Sequence, residues 1–147
     1  MTDVDTDTLA RTACGEARSD GDIGMSAVAA VVMNRCRAAN AYLAKHPTAA
    51  HHPLYGDGTP ASCCKMPFQF SCWLPSDPNR AKLLAVDDTD PQFAIALALA
   101  GQAVAGTLAD PTDGATSYKV TSLPWPSAWG QQIEPCAVIG HQSFYRL

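Results

Sequence analysis

The sequence predicts one mainly helical domain with a small β element, an α+β arrangement. Alanine, the strongest helix former, supplies 25 of the 147 residues, and apolar residues recur at helical spacing in two early segments. A chain of this length can bury about two thirds of the surface that it exposes when unfolded. No repeat, low-complexity tract or linker divides the sequence. We therefore expect a single domain over residues 9–147, after a flexible N-terminus at residues 1–8.

Capping residues and apolar spacing predict the first two helices. Thr6 or Asp7 can cap a helix that ends near Arg18, where a polar segment with a glycine follows. Apolar side chains at helical spacing predict a second helix over residues 23–39. Arg35 would then lie near the C-terminal end of this helix, where a positive charge suits the helix dipole.

Two further helices are predicted where an aspartate precedes a proline. Asp77-Pro78 would begin a short helix ending near residue 86, and Asp90-Pro91 a long alanine-rich helix ending near residue 106. The uncharged run over residues 91–109 approaches the length of a membrane span. Its alanine content and flanking aspartates instead predict a buried helix and no insertion into a membrane.

The remaining segments predict a loop and a β-hairpin. Residues 40–75 contain five prolines and a Gly-Asp-Gly turn, which indicates a long irregular loop of the kind that compact domains keep for a function. Residues 115–120 alternate loosely and predict a short strand. Residues 137–139 could pair with it.

The net charge, the N-terminal residues and the cysteine content limit the classes of function and the cellular location that we expect. A net charge of −4 argues against a nucleic-acid binder, which would usually show a basic excess. Residues 1–8 lack the basic and apolar regions of a secretory signal, so we expect synthesis in the cytoplasm. The six cysteines permit about fifteen pairings. Free buried thiols are the default without a signal peptide, and the pairing stays open.

Glu16 stands out among the acidic residues. Twelve of the 14 are aspartates, which suit caps and turns, and only Glu16 and Glu134 are glutamates. Glu16 lies near the end of the first predicted helix among small and apolar residues, where desolvation favours a protonated carboxyl that can act as a general acid. The alternative is a surface ion pair with Arg11 or Arg18.

Two polar and aromatic segments are candidates for carbohydrate binding. Gln69-Phe70-Ser71-Cys72-Trp73 places aromatic rings beside hydrogen-bonding groups inside the long loop. Thr116-Ser117-Tyr118 places three hydroxyl groups on the predicted strand. The first segment could equally be an apolar anchor that pins the loop.

Metal sites and nucleophiles find little support in the sequence. His51-His52 and Cys63-Cys64 do not have the spacing of a structural zinc site, and no helical His-Glu-x-x-His pair occurs. The Gly-x-Ser-x-Gly turn of serine hydrolases is also missing. Nothing marks Cys72 and His141 as a nucleophile and its base. We expect neither a metal nor a cofactor.

Five stretches carry a family pattern when they are taken in order. They are Leu9–Arg18, Ala27–Arg35, Gln69–Trp73, Asp110–Tyr118 and Ile139–Arg146. Together they resemble the SleB-type cell wall hydrolases, the family of spore-cortex-lytic enzymes and related phage lysins. Members often carry Gly-Glu after the Gly-Glu-Ala-Arg motif, where this chain has Ser19-Asp20.

The resemblance implies a lysozyme-like fold and cleavage of the bond between N-acetylmuramic acid (MurNAc) and N-acetylglucosamine (GlcNAc) in peptidoglycan. It also implies that Glu16 is the catalytic acid. The glycan cleft would be lined by Gln69, Ser71, Thr116 and Tyr118. Phe70 and Trp73 would pack beneath these residues or stack on sugar rings.

One well-placed glutamate favours a lytic transglycosylase, because hydrolysis by a glycosidase normally needs two carboxylates. A single acid can protonate the glycosidic oxygen and then, as a base, help the C6 hydroxyl group of the sugar to form a 1,6-anhydro product. The alternatives are a non-enzymatic wall-binding module of the same fold and a metal-dependent wall amidase. We expect a monomeric, bacteriolytic endolysin of a phage or prophage, released to the wall at lysis; the alternative is a bacterial enzyme exported by another route.

Overall fold

The computed structural model describes residues 3–67 and 69–147. These residues contain five α-helices followed by three β-strands. The helices are α1 (Val4–Ala17), α2 (Gly21–Lys45), α3 (Pro60–Lys65), α4 (Arg80–Ala85) and α5 (Pro91–Ala105). The strands are β1 (Ser117–Val120), β2 (Ala137–Ile139) and β3 (Gln142–Tyr145). The prediction of a mainly helical domain with a small sheet is confirmed.

Helix α1 begins before its predicted caps, Thr6 and Asp7. The carboxylate of Asp3 accepts a hydrogen bond from the Thr6 amide at 2.9 Å and caps the helix there. Residues 4–8, which we predicted to be flexible, are therefore helical. Residues 1 and 2 of the predicted flexible segment lie outside the described part of the chain.

Helix α2 continues past its predicted end at residue 39 as far as Lys45. The added residues include two alanines, a leucine and a lysine, which are all strong helix formers. Arg35 consequently lies inside the helix and is buried, so the predicted position at a helix end is wrong. Its charge must be matched by contacts other than the helix dipole.

The predicted loop over residues 40–75 contains two ordered elements beyond the end of α2. Thr59 caps α3 by accepting a hydrogen bond from the Ser62 amide at 3.3 Å, and Pro60 occupies the first position of the helix. A 3-10 turn then forms at Ser71–Trp73. These elements bring the Gln69–Trp73 stretch back onto α1.

The two predicted Asp-Pro helix starts have different outcomes. Asp77 Oδ1 accepts a hydrogen bond from the Asn79 amide at 2.8 Å and forms a turn, so α4 begins only at Arg80. Asp90 caps α5 as predicted, because its Oδ1 accepts hydrogen bonds from two amides of the first turn at 2.9 and 3.1 Å. Gly106, with a φ of 81°, ends this helix.

The sheet has the strand order β1-β3-β2, with both pairings antiparallel. The predicted pairing of residues 115–120 with residues 137–139 is therefore wrong, because the unforeseen strand β3 lies between them. Tyr118 on β1 pairs with Phe144 on β3, and their ring centroids are 5.5 Å apart. Phe144 is buried with Val31 of α2, which anchors the sheet to the helices.

The main core is built around α1, which packs against α2, α3 and α5. Leu9, Met25 and Phe93 are at most 2% exposed. All six cysteines are free thiols, and five of them are buried. Within the described residues, no helix combines the length and the apolar character that a membrane crossing requires.

Candidate active site

An open cleft of about 710 Å³ lies at the C-terminal end of α1. One side comes from residues 14–18, and the other comes from the turn at residues 71–72 and the segment 77–90. The volume falls within the range of small-molecule binding sites, about 300–1,000 Å³. The charged, amide and hydroxyl side chains that line it are Glu16, Arg18, Ser71, Asp77, Asn79, Lys82 and Asp90.

Glu16 lies in the last turn of α1 and points its carboxyl group at the sheet. The Tyr118 hydroxyl group on β1 donates a hydrogen bond to Glu16 Oε2 at 3.3 Å. The other oxygen, Oε1, is buried and has no hydrogen-bond partner among the described residues. Glu16 and Tyr118, which are far apart in the sequence, are thus in contact, and the half-buried carboxyl group lies beside an open cleft.

The Tyr118 hydroxyl group is held in its neutral form. Burial raises its pKa well above the usual value, and the nearby Glu16 carboxylate raises the pKa further. A phenol that keeps its proton can only donate to a carboxylate. Tyr118 therefore offers Glu16 a neutral hydrogen-bond donor.

Cys72 approaches Glu16 from the 3-10 turn. Cys72 lines the cleft together with Glu16, and it is 5% exposed. Burial raises the pKa of the thiol, and the Glu16 carboxylate raises it further. A thiol that stays protonated is a poor nucleophile. His141 does not bind it, since the His141 ring contacts Asp20 instead.

The segment before β1 positions Tyr118. Asn34 of α2 donates from Nδ2 to Asp110 Oδ2 at 3.0 Å and to the Ala115 carbonyl at 2.8 Å. Arg35 donates from Nε to the Thr116 carbonyl at 2.6 Å. These bonds connect the segment before β1 to α2. They therefore fix the position of Tyr118 relative to Glu16.

Comparison with known proteins identifies the family. A sequence model described as cell wall hydrolase matches residues 19–145. The chain belongs to the cell wall hydrolase family. This membership supports the prediction of a peptidoglycan-degrading enzyme. Glu16 lies just before the matched segment, so the case for Glu16 rests on its geometry.

The fold of this cell wall hydrolase is also similar to a solved structure. That structure is the catalytic domain of the germination-specific lytic transglycosylase SleB from Bacillus anthracis. The TM-score is 0.64 at 20% identity, and the match covers 98% of this chain and 95% of the other. The likeness confirms the expected SleB-like fold. No curated protein matches the chain.

Two of the predicted substrate-binding residues are at the site of this hydrolase. Ser71 is exposed and lines the cleft, and Tyr118 contacts Glu16. The two predicted aromatic residues pack behind it. Phe70 is 2% exposed and lies under the guanidinium group of Arg35 at 5.0 Å, so it cannot touch a sugar ring. Trp73 donates from Nε1 to Thr12 Oγ1 at 2.8 Å, which turns its indole ring toward α1.

The remaining two predicted residues lie outside the lining of the cleft. Gln69 is half-buried in the turn after α3. Thr116 accepts a hydrogen bond from the Leu147 amide at 3.1 Å and donates one to the Leu147 carbonyl at 3.2 Å. The Thr116 hydroxyl group therefore secures the C-terminus beside β1, a role that a strand pattern alone does not reveal.

The far side of the cleft carries polar residues that we did not predict. Asp77 and Asn79 come from the turn before α4, and Lys82 comes from α4 itself. Asp90, which we assigned only to capping α5, also lines the cleft. The sequence marks this segment only by its two Asp-Pro pairs. These pairs indicate helix starts, and they do not indicate that the segment faces Glu16.

Asp20, the acid that follows the Gly-Glu-Ala-Arg motif, has a different position. Its side chain is 10% exposed, and its Oδ1 lies 3.2 Å from Nδ1 of the exposed His141. A β-carbon on Gly140 would lie 3.1 Å from the same oxygen. Asp20 thus joins the start of α2 to the turn between β2 and β3, and it does not line the cleft.

The histidines and cysteines weighed for zinc are used in other ways. His52 Nδ1 accepts hydrogen bonds from the Leu54 and Tyr55 amides at 3.0 and 3.2 Å. Cys63 and Cys64 are fully buried on α3. In the part of the chain that the structure describes, no group of three or more metal-binding side chains comes together.

Proposed function

We propose that this cell wall hydrolase is a lytic transglycosylase that cuts the peptidoglycan glycan strand between MurNAc and GlcNAc, with Glu16 as the catalytic acid. The position of Glu16 carries the proposal. The Glu16 side chain lines an open cleft, with one oxygen bonded to a neutral hydroxyl group and the other buried without a donor among the described residues. A carboxyl group held in this way can give a proton to a bound sugar and take one back.

The other carboxylates of the cleft are less suited to this role. Asp77 accepts a backbone hydrogen bond in the turn before α4, and Asp90 accepts two as the cap of α5. These backbone hydrogen bonds give both carboxylates a structural role, as part of a turn and as a helix cap. Among the described residues, the Glu16 carboxyl group is bonded to one donor, the Tyr118 hydroxyl group, and it caps no helix.

The reaction then needs one group and no water. The Glu16 carboxylic acid gives its proton to the glycosidic oxygen, and the bond from this oxygen to the anomeric carbon of MurNAc breaks. The resulting carboxylate takes the proton of the MurNAc C6 hydroxyl group, whose oxygen bonds to the anomeric carbon. The products are a 1,6-anhydroMurNAc end and a free GlcNAc hydroxyl group, and Glu16 is protonated again.

The polar residues opposite Glu16 would orient the glycan. Ser71, Asn79 and Lys82 offer a hydroxyl, an amide and an ammonium group to sugar hydroxyl, acetamido and lactyl groups. Tyr118 keeps the carboxyl group in place. Phe70 and Trp73 would support the site by packing behind it, without contact with the glycan.

The test compares the two glutamates of the chain. Glu16→Gln keeps size and shape but cannot transfer a proton, so turnover of purified sacculi should fall by about 10²-fold or more. Glu134→Gln is the matched control, because Glu134 is exposed in the loop before β2. Mass spectrometry of the soluble products should show 1,6-anhydro ends. Near-normal activity of a folded Glu16→Gln variant would overturn the assignment.

Hydrolysis is the second candidate, and Asp77 is the observation that favours it. This carboxylate lines the cleft together with Glu16 and could activate a water molecule. Reducing MurNAc ends in the products, together with loss of activity in Asp77→Asn, would establish a two-carboxylate muramidase. Anhydro ends and an active Asp77→Asn variant would support the single-acid route.

The same preparation separates the non-catalytic and metal-dependent alternatives. Wild-type protein that binds sacculi and never releases fragments would be a wall-binding module. Cleavage of the peptide stem that stops on addition of a chelator would indicate an amidase.

The biological setting is a further part of the proposal. We propose a bacteriolytic endolysin that is made in the cytoplasm and reaches the wall at lysis, acting as a monomer. Production inside a host should then cause lysis only when the inner membrane is permeabilised. Lysis without permeabilisation would contradict this setting, and size-exclusion chromatography with light scattering would test the monomer.

A further inference from the structure

The segment between α2 and α3 contains a tight turn at residues 52–56, which we call the His52 turn. The His52 amide donates to the Gly56 carbonyl at 2.7 Å. Nδ1 of the His52 ring accepts hydrogen bonds from the Leu54 and Tyr55 amides at 3.0 and 3.2 Å. An asparagine or aspartate side chain usually binds the backbone of a turn in this way. Histidine differs from both because its charge changes near neutral pH.

Both hydrogen bonds require a His52 Nδ1 that carries no proton. A backbone amide only donates, so the ring nitrogen that it meets is the acceptor, and the single proton of the neutral ring lies on Nε2. A second proton would turn Nδ1 into a donor that faces two donors. The protonated ring is therefore incompatible with the closed His52 turn.

The two neighbouring histidines have the opposite arrangement. Nδ1 of His46 lies 2.8 Å from the Tyr42 carbonyl, and Nδ1 of His51 lies 2.9 Å from the His52 carbonyl. A carbonyl only accepts, so both of these ring nitrogens donate, and they keep their bonds when the rings are protonated. Of the three histidines in residues 46–52, His52 is thus the one whose bonds require a neutral ring.

The groups that pack against the half-buried His52 ring do not stabilise a positive charge on it. From α2, Tyr42 meets the ring edge-on with 4.9 Å between centroids, and His46 stacks on Tyr42. From the turn itself, Tyr55 stacks on the ring at 4.6 Å, and the guanidinium group of Arg35 lies over Tyr55 at 5.3 Å. None of the ion pairs within the described residues includes His52. Burial lowers the pKa of His52 below its usual 6.5.

The residues that lead into α3 close the turn from the other side. Gly56 has a φ of 85°, and a β-carbon there would collide with the Ser62 hydroxyl group of α3, which is uncharged. Asp57 is the acid next to the turn. Its Oδ1 accepts hydrogen bonds from the hydroxyl group and the amide of Thr59 at 2.6 and 2.9 Å, which hold its pKa below the usual value. This carboxylate is therefore bonded to Thr59 and not to His52.

We propose that the His52 turn is a pH-sensitive conformational switch, in which protonation of the His52 ring breaks both hydrogen bonds to Nδ1 and opens residues 52–56. In the open turn the protonated ring donates to water, and the Leu54 and Tyr55 amides do the same. The turn is closed by contacts of one side chain and one backbone pair, so it can open while the helices keep their packing.

Acid favours the open form of the turn. The pKa of His52 is lowered in the closed turn and returns to about 6.5 in the open one, so the open form binds protons more tightly. The contribution of the turn to stability is complete above pH 6.5 and is lost as the pH falls toward the lowered pKa. Each pH unit in this range shifts the equilibrium toward the open form by up to about tenfold.

Hydrogen exchange of the whole protein, followed by NMR, tests the switch. The protection factors of the Leu54 and Tyr55 amides should fall about tenfold between about pH 7.5 and pH 5. His52→Asn keeps an acceptor for these amides that takes up no proton, so its protection should stay constant over this range. His52→Ala has no acceptor and should show low protection throughout. The nitrogen shifts of the His52 ring should place its proton on Nε2 at neutral pH.

His46→Asn is the matched control, because His46 is a neighbouring histidine whose Nδ1 donates. It should keep the acid loss of protection. Absence of that loss in His46→Asn would overturn the proposal, because repulsion between two ring cations would then be the cause. Wild-type protection that is unchanged at acid pH, or an equal fall in His52→Asn, would also overturn it. These measurements need no substrate, so they are independent of the proposed function.

Discussion

Replacing Tyr118 with phenylalanine removes a single hydroxyl group and tests its bond to Glu16. The bond is 3.3 Å long, beyond the usual O–H···O range, and its acceptor is a carboxyl group. Hydrogen bonds to charged groups contribute about 1.5–3 kcal/mol, and the length of this one places it at the lower end. A loss of about 1.4 kcal/mol in the transition state is a tenfold loss of rate. We therefore expect kcat/KM to fall about tenfold.

The stability of the Tyr118→Phe variant should change little. The ring packs against Phe144 with 5.5 Å between centroids, and phenylalanine keeps this contact. The free energy of unfolding should therefore stay within about 1 kcal/mol of the wild-type value. A rate loss without a matching loss of stability would locate the effect at the carboxyl group.

The assay follows the release of soluble muropeptides from sacculi across a range of concentrations. Tyr42→Phe is the matched control: Tyr42 is half-buried on α2, stacks on His46 at 4.0 Å, and does not line the cleft. It should keep full activity. A loss of less than about twofold in Tyr118→Phe, or an equal loss in the control, would refute the role of the hydroxyl group.

Three further substitutions and one control variant test the site and the core around it. Gly15→Ala should lower kcat several-fold by displacing the side chains opposite, whereas Gly101→Ala, with open space around an added β-carbon, should keep activity and gain up to about 1 kcal/mol of stability. Asp110→Asn should lower stability at pH 7. Burial raises the Asp110 pKa, but hydrogen bonds from Thr112, Asn34 and backbone amides outweigh it and hold the pKa below its usual 3.8. Wild type should therefore lose stability as the pH falls below that value, because the carboxylate becomes protonated. The Asp110→Asn variant should not show this loss. Phe93→Ala should cost about 3–5 kcal/mol in urea denaturation, because the side chain is 2% exposed.

The helices could be predicted where their ends are marked by local chemistry. Asp90-Pro91 and Gly106 mark both ends of α5, and the predicted boundaries hold. Helix α1 is capped by Asp3, one of several equivalent acids in its first turns, so the sequence pattern does not single it out. Strand β3 is four residues long and follows β2 after a two-residue turn, which is too short for a pattern of its own.

Glu16 could be singled out from the sequence, and the cleft around it could not. Glu16 is conspicuous because aspartates fill the caps and turns, which leaves one glutamate inside a motif. The far side of the cleft depends on how the segment 77–90 packs across α1. That packing is long-range, and no spacing within the segment encodes it.

Several residues of the stretches that carry the family pattern build the site without facing it. Asn34 and Arg35 hold the segment before β1, and Trp73 is bonded to Thr12 on α1. Aromatic and polar residues in a motif therefore indicate a site nearby, but not which side chains touch the ligand. Only burial and hydrogen-bond partners separate the two roles.

The net charge of the protein means that recognition of an anionic wall would have to come from local contacts in the cleft. The chain carries a net charge of −4, which provides no general attraction to peptidoglycan. Among the described residues that line the cleft, none is aromatic, so stacking on sugar faces is not the means of recognition there. The cleft instead places Arg18 and Lys82 among hydroxyl, amide and carboxylate groups. Because three carboxylates line the same cleft as these two cations, directional hydrogen bonds and not net attraction would have to select the glycan.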